Sequence, residues 1–376
     1  MFANSVKLFS LCGFDLKIDP SWLLIAALIT WSLAQGYFPS AVPGQTDQVY
    51  LVMALVSMLC FFASLVLHEL AHSLVARQFD VPIKGITLFL FGGVAELGGN
   101  PKSATAEIWV ALAGPIMSFC LAFVFWVLAK LSDLAFAFPH ITEILIYLAT
   151  INSVLALFNL LPAFPLDGGR VLRGYLWYRH GDILRATEAA AKSGTVFAYG
   201  LMALGVLALF QGVVLAGLWY VMIGGFLLVA ARSSYQSQLS QTFFEDKCVC
   251  DLMNESPVVV DPAVTLAEFA NRIMLPQRVT FVPVVEDGML LGHMDQHVLT
   301  GIDRENWAET QVGDVFAEVG TARTVSPEMP VAELMQTIAE TGQRKFLVTK
   351  GATLSGVITL ADLTGYLRLA DMIRHL

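Results

Sequence analysis

Six apolar stretches, each near the length needed to cross a bilayer, occupy most of the first 231 residues: roughly 22–35, 49–76, 105–129, 144–161, 195–210 and 213–231. A membrane-spanning helix needs about 20 predominantly apolar residues. The first stretch reaches that length only with its flanks. The last two are separated by Gln211-Gly212 alone, so a five-span reading with a merged final helix stands beside the six-span one. No packing in water satisfies so much apolar sequence. Hydrophobic residues make up 56% of the 376 and charged residues 14%, where a soluble globule carries about 25% charged. The first part of the chain therefore reads as a polytopic α-helical membrane domain.

Loop charges orient such a bundle, because Lys and Arg concentrate on the cytoplasmic side. Lys7 and Lys17 precede the first span, and Arg77, Lys84 and Lys102 lie between or at the edges of the second and third. Arg170, Arg173, Arg179, Arg185 and Lys192 lie between the fourth and fifth. The alternate loops carry almost none, with Lys130 at one edge. With six spans, both termini are expected in the cytoplasm, with a prokaryotic inner membrane as the setting. No cleavable signal peptide is expected, since the first apolar run begins late and lacks a small-residue cleavage site. A net charge of −9 and the lack of a basic patch argue against nucleic acid as a partner. The cysteines, Cys12, Cys60, Cys120, Cys248 and Cys250, show no disulfide spacing, and a reducing compartment is expected for the soluble parts.

Apolar character falls sharply after Ala231. Residues 232–246 (RSSYQSQLSQTFFED) are polar and rich in Ser and Gln, and read as a linker. The expected division is a membrane domain over 1–235, a linker over 236–246 and a second domain over 247–376. The second domain repeats itself. Asp251-Leu252-Met253 matches Asp314-Val315-Phe316, and Pro262 before Leu266 and Phe269 matches Pro327 before Val331 and Leu334. Gly292-His293-Met294 likewise matches Gly356-Val357-Ile358. Each copy, about 247–303 and 311–370, reads as strand, amphipathic helix, strand, strand, helix. On these residues the tail resembles a tandem pair of CBS domains, an α/β module. The resemblance implies that Thr359 and Asp362, in the run Gly356-Val357-Ile358-Thr359-Leu360-Ala361-Asp362, meet the phosphate and ribose of an adenine nucleotide such as ATP, ADP or AMP. The first copy departs from that pattern, with Asp295 and Val298 at the corresponding positions, and a carboxylate repels a phosphate. A structural or dimerising role, with a homodimer formed through the pair, is the plainer alternative.

Chemistry enters at His68-Glu69-Leu70-Ala71-His72. On a helix, a spacing of four residues puts both imidazoles on one face, about 40° apart. Two neutral imidazoles then converge on one metal ion, and Glu69, one step round, is placed as a general base. Residues 48–67 carry no charge, so the three ionisable groups arrive together inside an apolar helix. A charged group there costs about 2.5–3.5 kcal/mol on insertion scales, and a bound cation supplies the compensating charge. The bland reading is a helix end where polar residues meet the headgroups, since Arg77 follows five residues on. The other histidines (His140, His180, His293, His297 and His375) have no second ligand at metal spacing and read as surface or packing residues.

A catalytic zinc takes three protein ligands and keeps one position open. The candidate for the third is Asp167, in the run from Asn159 to Arg170, NLLPAFPLDGGR. Pro162 and Pro165 break the fourth helix, and Gly168-Gly169 free the backbone after it. A broken helix at membrane depth is tolerated where it lines a cavity or is buried in protein.

Together, H-E-L-A-H and N-x-x-P-x-x-P-L-D-G resemble the site-2 protease family, over about residues 15–230. The resemblance implies an intramembrane zinc metalloprotease acting on single-span membrane proteins. It implies one zinc per chain on His68, His72 and Asp167, Glu69 as general base, and supporting polar roles for Asn159 and Asn152. It also implies a membrane-inserted β element in residues 81–99, whose Gly92-Gly93-Val94-Ala95 run binds substrate. An exposed strand edge there pairs with an unwound substrate through main-chain hydrogen bonds; a plain amphipathic loop is the alternative. Six spans followed by a CBS pair agree with one branch of the family, and adenine-nucleotide control of cleavage follows from the tail. A CBS-regulated ion or metal transporter is the rival reading, and an inactive helix-binding scaffold a further one. Transport of a metal needs ligands, not a base set between two of them.

Overall fold

The computed structural model describes residues 5–11, 13–89, 92–97, 101–135, 138–320 and 323–374. Cys12 and His375 lie outside these. The chain divides into two compact units, residues 1–235 and 236–376.

The first unit opens with a hairpin, β1 (Val6–Leu11) and β2 (Phe14–Ile18), turned at Gly13 with φ +89°. Seven helices and a second hairpin follow. They are α1 (Ser21–Ala41), α2 (Asp47–Gln78), β3 (Ile83–Phe89), β4 (Gly92–Leu97), α3 (Ala104–Ala135), α4 (Pro139–Asn159), α5 (Asp167–His180), α6 (Ile183–Phe210) and α7 (Val214–Phe244). Six of these, all but α5, are long and apolar enough to cross a membrane. The protein is a multi-pass membrane protein, and its spans wear large apolar side chains outward: Leu23, Leu24, Phe123 and Val196 are all exposed.

The β element is a four-stranded sheet in the order β1-β2-β3-β4. β2 runs parallel to β3, pairing Asp15 with Gly85, and β3 pairs antiparallel with β4. Phe14, Leu16 and Leu88 of the sheet pack in one core with Ala26 of α1 and Met58, Phe62 and Leu65 of α2. The sheet is thereby fixed against the helix that carries the H-E-x-x-H run, with β4 at its edge.

Two helix limits differ from the expectation by about three turns or more. Helix α6 begins at Ile183, about three turns before the apolar run at residue 195. Asp182 caps it, accepting from the backbone N–H groups of Leu184 and Arg185, and the alanine-rich first turns are strong helix formers of low hydropathy. Helix α7 runs on to Phe244, so most of the stretch read as a linker over 236–246 is helical. That stretch is polar but holds no Gly or Pro to stop a helix, and Leu239 and Phe244 on it are buried.

The second unit is built on a mixed sheet ordered β5 (Phe281–Glu286), β6 (Met289–Asp295), β10 (Thr353–Thr359), β9 (Lys345–Lys350) and β8 (Thr324–Val325), with β7 (Ala317–Glu318) pairing β6. Two cores form, and the copies exchange their opening segments between them: Val312 of the second copy packs with Phe269, Val282 and Met294, and Val249 of the first with Leu334, Phe346 and Ile358. The matched residues do matched work. Asp251 and Asp314 accept from the backbone N–H groups of Cys248 and Gln311, at 2.9 and 3.0 Å. Gly292 and Gly356 each lie where a Cβ would collide with a backbone carbonyl, that of Ala317 or Asn254. The expectation of no disulfide is corrected: Cys248 and Cys250 are bonded to each other.

Candidate metal centre

Helix α2 delivers His68, Glu69 and His72 to the protein interior, all three buried among small and apolar neighbours. The third group arrives from a different element. Helix α4 ends at Asn159, and the Pro162–Leu166 segment turns the chain so that α5 starts at Asp167. The two following glycines are required by contact: a Cβ on Gly168 would strike the carbonyl oxygens of Leu160 and Leu161, and one on Gly169 would strike the main chain of Ala163 and Phe164. The turn is thus folded tightly onto the start of α5, which aims the Asp167 carboxylate at the histidines.

Three donor atoms meet there. His68 Nε2 lies 3.3 Å from Asp167 Oδ2, His72 Nε2 lies 3.2 Å from the same oxygen, and the two Nε2 atoms are 3.2 Å apart. Zinc holds His nitrogen and carboxylate oxygen at about 2.0–2.2 Å in tetrahedral sites, which sets donor pairs about 3.3 Å apart. The triangle fits that ion.

Both rings are oriented from behind by α3. His72 Nδ1 donates to the Val110 carbonyl at 2.6 Å, and His68 Nδ1 pairs with Ser118 Oγ at 2.8 Å. An Nδ1–H donated to a fixed acceptor leaves the Nε2 lone pair for the metal. Gly114, between those two partners on α3, faces the donors. A Cβ there would lie 2.5 Å from His68 Nε2 and closer still to His72 Nε2. Only glycine leaves that space open. About one and nearly two turns of α5 beyond Asp167, Arg170 and Arg173 both donate to Glu107 Oε1 of α3, at 3.2 and 2.6 Å, with Glu107 buried. This buried ion cluster ties α5, and so Asp167, to α3.

Glu69 points away from the triangle's back wall into a cavity of about 300 Å³, which Asn159 and Gly93 also line. Gly93, on β4, packs so closely that a Cβ would lie 2.6 Å from Glu69 Cγ. Gly92 and Val94 flank it on the same strand. Asn152 is buried one element away: its Nδ2 donates to Leu148 O and reaches Ser64 Oγ at 3.4 Å, bracing α4 on α2. In the second unit, Thr359 Oγ1 and backbone N–H donate to Asp362 Oδ2, so the pair caps the last helix. Sequence reasoning missed Val110, Gly114, Ser118 and Glu107. The available signal was Gly114-Pro115 inside an apolar span, a costly pair in a helix interior.

The sequence profile of peptidase family M50 matches residues 56–139 and 132–204, and that of the CBS domain matches 249–293 and 314–369. A Mycobacterium tuberculosis protein named zinc metalloprotease Rip3 is 36% identical over 99% of this chain and 94% of its own length. Zinc metalloprotease MJ0392 of Methanocaldococcus jannaschii is 28% identical over 96% of this chain and 95% of its own. A solved structure, the site-2 protease from Methanocaldococcus jannaschii, covers 61% of this chain and 95% of its own at 28% identity, with a TM-score of 0.43.

Proposed function

The chain belongs to peptidase family M50, the site-2 proteases, and from that premise we propose that it hydrolyses peptide bonds within or near the transmembrane segments of single-span membrane proteins. That it is a membrane zinc metalloprotease rests on its relatives. The observation that carries the finer reading is the meeting of His68, His72 and Asp167 with Glu69 at the wall of a cavity beside edge strand β4.

His68, His72 and Asp167 would hold the zinc, which would supply Lewis acidity for the scissile carbonyl. Val110 and Ser118 keep the two imidazoles in register for that ion. A Glu69 carboxylate oxygen takes the proton of the attacking water and returns it to the leaving amine. A helical peptide bond is shielded and already hydrogen-bonded, so the substrate must unwind. The outer edge of β4 offers main-chain donors and acceptors to an unwound strand. Gly92, Gly93 and Val94 lie on that edge strand, and the contact of Gly93 with Glu69 supports substrate pairing next to the base.

Loop charges support cytoplasmic termini in a prokaryotic inner membrane, with product released to the cytosol. The CBS pair supports a homodimer and adenine-nucleotide control through Thr359 and Asp362. The test is cleavage of a single-span substrate in proteoliposomes. The wild type is expected to cut and Glu69→Gln not to. Metal or ion flux without cleavage would favour the transporter instead.

A further inference from the structure

The cavity beside Glu69 has a chemistry of its own. Each helix that walls it contributes one face. Helix α2 gives Phe61, Leu65 and Glu69 at four-residue spacing, and Leu155 and Ile223 stand on α4 and α7. Among the described residues that line it, Glu69, Asn159 and the indole N–H of Trp219 bring the polar groups, and the rest are apolar apart from Gly93. Water is poorly held in an apolar space of this kind, because each molecule needs two to four polar partners. A polar guest would lose its hydrogen bonds there without replacement. About 300 Å³ is far more than the peptide bond at Glu69 itself needs.

We infer that this cavity is the binding site for one substrate side chain, that of a residue flanking the scissile bond, and that it selects a large apolar residue such as Phe or Leu. The inference rests on the protease reading. Its occupant follows from the strand beside it. Gly93 abuts Glu69, so a substrate strand lying along β4 brings its peptide bond to the base. Successive side chains of a strand point to opposite faces. One flanking residue then enters the cavity and the residue across the scissile bond points away. Selectivity is therefore one-sided: strict at one flanking position and lax at the other.

The size of the effect follows from apolar pockets in general. One missing methylene there changes specificity by about 10–200-fold. Replacing a Phe in the cavity with Ala is thus expected to lower kcat/KM at least about tenfold, and Asp at that position to abolish cleavage. Leu155→Trp narrows the cavity from the α4 side. It is expected to reverse the order, so that an Ala-bearing substrate is cut faster than a Phe-bearing one.

The probe is a designed single span of Ala and Leu with a central Gly-rich break, in liposomes, carrying Phe, Leu, Ala or Asp on either side of the bond. The full-length zinc enzyme cuts it, and mass spectrometry of the fragments fixes the site. One-sided dependence, reversed by Leu155→Trp, supports the inference. Equal cleavage of all probes overturns it while leaving the protease reading intact, and is the result expected if a lipid chain fills the cavity. No cleavage of any probe overturns both. Should Leu155→Trp fail to fold, a photo-crosslinking Phe analogue at the selected position is used with Glu69→Gln. It is expected to label Leu65 or Leu155, and labelling elsewhere counts against the site.

Discussion

At the scale of single residues, the centre depends as much on what is small as on what ligates. Gly114 leaves room where any Cβ would enter the donor triangle. Gly114→Ala is therefore expected to lose zinc from a folded protein, measured by metal content against an unchanged circular dichroism spectrum. Ser118 acts one step further back, through His68 Nδ1. Such outer partners typically matter by about 10–100-fold in metal affinity, so Ser118→Ala is expected to release zinc to a competing chelator that much more readily. An unchanged chelator titration would mean that the hydroxyl does not orient the ring. His68, Glu69, His72 and Asp167 were legible in the sequence because helix geometry alone fixes a four-residue spacing and because Pro and Gly punctuate the run around Asp167. Val110 and Ser118 were not, because they act through the register of α3 on α2, and a carbonyl acceptor leaves no mark on residue identity.

At the scale of elements, the site is held by two clamps. One is the ion cluster between α3 and α5, where Glu107 accepts from Arg170 and Arg173. Removing one member of a buried charge cluster strands the others, at about 3–5 kcal/mol. Glu107→Leu is expected to lower the thermal midpoint in detergent by several degrees, and an unshifted midpoint would show that water reaches the cluster. The other clamp is β4 on α2. Gly93→Val pushes Glu69 from its place, so it should abolish cleavage while zinc stays bound. The six-span order was readable from hydropathy, and the β3–β4 pair from the Gly-rich run and the family resemblance it carries, whereas the β1–β2 hairpin that completes the sheet was not expected. The start of α6 and the end of α7 were not, because hydropathy reports burial in lipid, whereas helix continues wherever propensity allows.

At the scale of the whole molecule, a membrane protease unit is joined in one chain to a repeated CBS unit. The repeat was legible because its matched residues do the same local work, Asp251 and Asp314 as caps and Gly292 and Gly356 at close backbone contacts. What the repeat binds is a proposal. Under it, adenine nucleotide changes the cleavage rate of the parent, and Asp362→Ala abolishes that response. A response equal to the parent's would remove Asp362 from any such role. The central claim, however, is a zinc centre of two histidines and one aspartate with a separate base. It is tested most directly by zinc content, measured by mass spectrometry after extensive dialysis, of wild type, His72→Ala and Glu69→Gln. The account predicts about one zinc per chain in wild type and Glu69→Gln, and almost none in His72→Ala. A folded wild type that retains no zinc, or a Glu69→Gln protein that loses it as His72→Ala does, would contradict the account.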